Sequence, residues 1–162
     1  MKNFSSYFLA IVNFNSNQFH KAIIIDANFI LLPIQFRIDY LFEIRHILEG
    51  KLDFIIFQQV LDELEAKKIR IQSKKDATFQ TQFHAGLRYL DQKKSEYNVI
   101  FRDEIKNMKE TTDEFLLKQA ILFKKNYKSV YLATNDSELK KKAHKSNIYI
   151  IYLRQGKQIR IF

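Results

Sequence analysis

The chain has 162 residues, 46% of them hydrophobic and 14% aromatic, which is enough apolar material for one core. Its 27 Lys and Arg against 18 Asp and Glu give a formal charge of +9, which suits a polyanionic partner such as nucleic acid or an acidic membrane surface. The absence of cysteine excludes disulfides, thiolate chemistry and cysteine-ligated zinc, and fits a reducing compartment.

With three glycines, one proline and no repeat or low-complexity tract, one domain is expected over residues 21–162. An extension over residues 1–20 precedes it and is expected to pack on or near it. The only apolar run in that extension, residues 7–12 (YFLAIV), is too short to span a membrane and lacks a signal-peptide cleavage pattern. These features predict a soluble, cytoplasmic protein with no membrane partner.

Residues 22–25 (AIII) form a short apolar, β-branched run, the pattern of a strand buried on both faces, and the run stops at Asp26. Leu41, Phe42, Ile44, Ile47 and Leu48 recur at helical spacing, with Gly50 as the stop. Residues 54–57 (FIIF) predict a second buried strand, and Val60, Leu61, Leu64 and Ile71 one face of the helix that follows. At about 100° per residue Glu63 flanks that face, Glu65 borders its other side and Asp62 points away. Glu63 is therefore the preferred candidate for a site, with Glu65 still in play.

The basic stretch 65–75 (EAKKIRIQSKK) reads as loop-facing and solvated, and Phe79, Phe83, Leu87 and Leu90 mark the next helix. Residues 97–101 (YNVIF) predict a third strand, and residues 111–125 a helix in which Thr111 and Glu114 have capping-box spacing. A fourth strand at 130–134, a helix at 137–145 and a strand at 148–153 follow. Turn residues 155–157 then lead into residues 158–162. This alternation predicts a three-layer α/β/α sandwich with a mostly parallel sheet and a C-terminal β-hairpin.

In such sheets ligands bind at the carboxyl ends of the strands. Asp26 and Asp136 each follow a strand, while Glu63 and Asp113 lie in early helical turns at the same edge. Each acid alone is a good turn residue or helix cap. Four together repel one another unless protons or a cation compensate, and oxygen ligands suit Mg²⁺ or Mn²⁺. Asn28 and Asn135, beside the acids, are placed to order water or phosphate. Lys67, Lys68, Arg70, Lys74 and Lys75 form one basic group and Lys140, Lys141, Lys142 and Lys145 another, either RNA-contacting or simply solvated helix faces. His20, His46, His84 and His144 show no metal-binding spacing and read as incidental polar residues.

Four blocks, IIIDANFILL (23–32), FIIFQQVLDELE (54–65), TTDEFLLKQA (111–120) and YLATNDSELKKKA (131–143), resemble the PIN-domain nucleases, in family order and over nearly the whole chain after the extension. By motif, the resemblance implies Asp26, Glu63, Asp113 and Asp136 as catalytic and metal-site acids, with Asn28, Glu114, Thr134 and Asn135 as accessory residues. The family's usual Asp-Thr/Ser-Asn opening is altered here, because Ala27 replaces the hydroxyl residue. The resemblance further implies a five-stranded parallel sheet in the order 3-2-1-4-5, and RNA cleavage with one or two Mg²⁺ or Mn²⁺ ions.

Within the family the chain is most similar to stand-alone archaeal proteins related to the PIN nucleases of ribosomal RNA processing, and less similar to typical VapC toxins. The resemblance admits an antitoxin or a ribosome-assembly protein as partner, and a homodimer, without choosing among them. Two other readings stand beside the metal-dependent endoribonuclease. One is an RNA-binding or assembly module with little or no catalysis. The other is a phosphoacceptor signalling domain, which fits less well because no adjacent acidic pair lies near the first strand.

Overall fold

Six strands form one sheet in the order β3-β2-β1-β4-β5-β6, in a computed structural model that describes residues 19–70 and 74–162. The expected extension lies outside the described residues except for Phe19 and His20, as does Ile71. The strands are β1 (His20–Ile25), β2 (Lys51–Phe57), β3 (Asn98–Arg102), β4 (Ser129–Ala133), β5 (Tyr149–Arg154) and β6 (Gln158–Ile161). All neighbours pair parallel except β5 and β6. The expected five-strand order is thus present, and the second strand of the C-terminal hairpin extends the same sheet to six.

That hairpin turns through Gln155 and Gly156, both left-handed at φ 52° and 64°, which closes a tight connection between strands of right-handed twist. Strands β1, β2 and β4 are mostly apolar and buried, and β5 is buried at Ile150 and Ile151, because helices cover both faces of a parallel sheet. Chain progress reverses between β1 and β4. Right-handed crossovers therefore place the earlier helices on one face and the later ones on the other.

The helices are α1 (Ala27–Ile30), α2 (Leu32–Gln35), α3 (Tyr40–Ile47), α4 (Gln58–Arg70), α5 (Lys74–Lys93), α6 (Thr112–Phe123) and α7 (Ser137–Lys145). The two short helices α1 and α2 carry no apolar period of their own and were not expected. The basic stretch 65–75 is mostly helical rather than a loop: Glu65–Arg70 end α4, and Lys74 and Lys75 begin α5. The side chains of Arg70, Lys74 and Lys75 lie outside the described residues.

Close packing of α5 against the site-bearing segment depends on Gly86. A Cβ at that position would stand 2.1 Å from the Ile30 carbonyl oxygen, so any side chain there would push α5 away. Among the described residues, no helix is long and apolar enough to cross a membrane.

Candidate active site

Asp26 is the residue at which β1 stops being apolar. Its backbone N–H donates to Ala133 O at 3.0 Å, which carries the β1–β4 ladder one step further, and its side chain caps α1. On the adjacent strand Asp136 does the same for α7, its Oδ1 accepting from the Leu139 N–H at 2.8 Å. Both aspartates therefore act as helix caps, and both stand at the point where the chain reverses direction across the sheet.

A hydrogen-bonded bridge joins them. Thr134 is fully buried, and its hydroxyl donates to Asp26 Oδ2 at 2.7 Å while accepting from the Asp136 N–H at 3.1 Å. Asn28 donates to the same Asp26 oxygen at 3.1 Å, and its Oδ1 accepts the Asn135 N–H at 3.1 Å. Asn135 Oδ1 in turn accepts the Leu153 N–H at 2.8 Å, tying the junction to β5. Ala27 has no hydroxyl to offer, and the hydroxyl that does reach Asp26 is that of Thr134, just past the end of β4.

The four candidate acids line one cleft of about 300 Å³, together with Asn28 and Lys67. Asp26 forms its floor at 5% exposure; Asp113 is half-buried, and Glu63 and Asp136 stand exposed at the rim. Burial pushes the Asp26 carboxyl up to about 6 despite its hydrogen bonds from Thr134 and Ala27, and the charges of Asp113 and Glu63 add to the rise. Asp113 is raised by burial and then by Asp136, with Lys142 opposing. Glu63 is raised by burial and then by Asp113, while Thr112, Lys67 and Lys106 pull it back. The cleft therefore concentrates negative charge that the protein only partly offsets.

The other candidates separate. Glu114 is outside the cleft: it accepts the Thr111 N–H at 3.0 Å and completes the capping box of α6. A carboxylate at this position is held at the N-terminus by the local backbone. Asp62 accepts from Gln58 at 3.0 Å and Glu65 pairs with Lys68 at 3.6 Å, so of the acids around α4 only Glu63 enters the cleft. Lys140 and Lys141 line a neighbouring groove.

Sequence reasoning missed Lys106 and Thr112. Both line a second cleft, of about 480 Å³, that shares Glu63 and Lys67 with the first. Lys106 sits in the aperiodic stretch 103–110, where pattern gives no placement. It missed His20 as well, which is not incidental: its Nδ1 lies 2.9 Å from Asp53 Oδ1 at the opposite end of the sheet.

The donor set of the first cleft is entirely oxygen. Among the described residues no three acidic or histidine groups are gathered tightly enough to grip an ion unaided. This arrangement fits a hard cation such as Mg²⁺, which keeps several waters and takes one or two carboxylates plus substrate oxygens.

Comparison with known proteins places the fold in a family. A family model described as a PIN like domain matches residues 23–156. Ribonuclease VapC4 of Methanocaldococcus jannaschii is 28% identical over 144 residues, which cover 86% of this chain and 95% of that protein. Among solved structures, that of the PIN domain endonuclease Utp24 superposes with a TM-score of 0.60 at 25% identity, covering 86% of this chain and 90% of the other.

Proposed function

This chain belongs to the PIN like domain family, and we propose that it is a metal-dependent endoribonuclease that hydrolyses RNA phosphodiester bonds. The observation that supports this reading is the convergence of Asp26, Glu63, Asp113 and Asp136 on one cleft, from four separate elements, under a chain of charge +9.

Asp26 and Asp136 would hold Mg²⁺ or Mn²⁺, with Glu63 and Asp113 reached directly or through water. Such an ion neutralises the clustered acids and supplies an activated water and a polarised phosphate oxygen. The protein's own part is positional. The Thr134 hydroxyl and the Asn28 amide fix one oxygen of Asp26, leaving the carboxylate little freedom to reorient. Because Asp26 titrates near 6 in the metal-free protein, it is mostly ionised and ready to coordinate at neutral pH. Lys67 on the cleft wall, and Lys142 near Asp113, set positive charge beside the acids for the RNA phosphates. Thr112 stands beside Glu63 and favours its ionised form.

The test is cleavage of RNA in Mn²⁺ by the wild type and by Asp26→Asn and Asp136→Asn. Each substitution is expected to lower the rate at least about 100-fold, more than losing a residue that only hydrogen-bonds a metal ligand costs, with the circular dichroism spectrum unchanged. Undiminished cleavage in both variants would sink the assignment. Salt-dependent RNA binding without turnover in any divalent metal would favour the binding-module reading instead.

A further inference from the structure

Outside the acidic cleft, α7 carries a stripe that the proposed chemistry does not use. Ser137, Lys140, Lys141 and His144 recur at i, i+3, i+4 and i+7 and line one side of a groove of about 430 Å³. Leu139 and Ala143 bury the other side of the helix. Across the groove stand Tyr152 on β5 and Phe162 just beyond β6. The Lys140 ammonium lies 5.1 Å from the Tyr152 ring centre, and the His144 ring lies 4.8 Å from that of Phe162, tilted by 39°. Among the described residues Lys141 is tied only to Glu138, at 3.4 Å with both side chains exposed, a contact too weak to withhold its charge from a ligand.

The groove starts one residue from the acid cleft. Asp136 lines the cleft and caps α7, while Ser137, its neighbour, opens the groove. From there to His144 the stripe runs about 10 Å along the helix. Aromatic faces next to ammonium groups make a platform on which an unpaired base stacks while its phosphate is neutralised. A duplex offers no such base, because its bases are stacked on one another and hidden.

Building on the nuclease reading, we propose that this groove is a single-stranded RNA subsite. It stacks the base of a nucleotide flanking the scissile phosphate against Tyr152 and Phe162, with Lys140 and Lys141 on the backbone. The enzyme would then select phosphodiester bonds with at least one unpaired neighbour.

The experiment measures anisotropy of a labelled single-stranded oligoribonucleotide and of its duplex, in EDTA, with the full chain carrying Asp26→Asn so that no RNA is cut. Adding Tyr152→Leu or Phe162→Leu is expected to weaken single-strand binding about 10-fold and to leave duplex binding unchanged. Tyr152→Trp places the sole tryptophan of the chain in the groove, and its fluorescence should be quenched by the single strand and not by the duplex. Unchanged single-strand affinity in both leucine variants, an unquenched tryptophan, or no measurable binding to either RNA would overturn the proposal. Because binding is read without turnover, failure of the nuclease reading appears separately, as cleavage that ignores Asp26.

Discussion

Among the described residues two buried aspartates stand at opposite ends of the same sheet, and one of them, Asp26, lines the acidic cleft. Asp53 on β2 is 2% exposed and Asp26 at the end of β1 is 5% exposed, so burial does not distinguish them; their neighbours do. Asp53 Oδ1 accepts from Asn98 Nδ2 at 2.7 Å and lies 2.9 Å from His20 Nδ1. Tyr127 is also close, and its phenol is held in the neutral form by burial and then by Asp53. Asp26 also has donors, but the charged groups around it include Asp113 and Glu63. A buried acid surrounded by donors ties strands together. One surrounded by other acids carries a charge that the fold itself does not satisfy, and that surplus is what a cation would relieve.

The contrast breaks most visibly at Asp53. Replacing it with alanine removes the acceptor shared by His20 and Asn98, two hydrogen bonds to a buried carboxylate, at a cost of about 3 kcal/mol in all. Urea titration of Asp53→Ala should show that loss, while RNA cleavage per folded molecule stays at the wild-type level. A stable Asp53→Ala protein with impaired cleavage would mean that the two ends of the sheet are not separate in function.

Asp26→Asn should do the reverse, losing cleavage and gaining stability. The Asp26 carboxyl titrates near 6 when folded, against 3.8 for an unperturbed aspartate. Below 3.8 both states are protonated and the group favours the fold fully. As pH rises through 6 the native carboxyl must ionise in its buried place, and that contribution is lost. Asparagine imitates the neutral form at every pH. In metal-free buffer the variant should therefore match the wild type at pH 4 and exceed it at pH 8 by about 3 kcal/mol, read as a shift in urea midpoint. Equal midpoints at pH 8 would show that the acids around Asp26 are already compensated by the protein.

Much of this arrangement is legible in the sequence because local pattern and local chemistry coincide. Apolar runs that end abruptly at Asp26, and just before Asp136, mark both the strands and the site edge, and Thr111 with Glu114 marks the start of α6 as the structure shows it. The obscured parts are the pairings across long separations. Thr134 reaches Asp26 from 108 residues away and His20 reaches Asp53 from 33. Periodicity states which face a residue takes, not which residue it meets. Asp53 is hidden for a second reason: an acid next to a buried apolar run reads as the strand's boundary, whereas β2 includes it and buries it. Glu114 carries two signals at once, the resembling motif and the capping box, and the structure shows its side chain engaged at the helix terminus.

Thr134 joins the two halves of the comparison, since it donates to a buried carboxylate, as the partners of Asp53 do, and that carboxylate lines the acidic cleft. Valine at this position keeps the shape and removes the hydroxyl that donates to Asp26 and accepts from the Asp136 N–H. Without the donor, the ionised form of Asp26 loses the hydrogen bond that most lowers its pKa, so its titration should move further above 6. Loss of such a supporting partner typically weakens a metal site about 10-fold, or roughly 1.4 kcal/mol. Mn²⁺ titration by calorimetry should show that weakening in Thr134→Val, and raising the pH should recover part of it as Asp26 ionises again. Unaltered Mn²⁺ affinity would mean that Asp26 is oriented by Asn28 and Ala27 alone, and that Thr134 serves only the backbone of the β4–α7 junction.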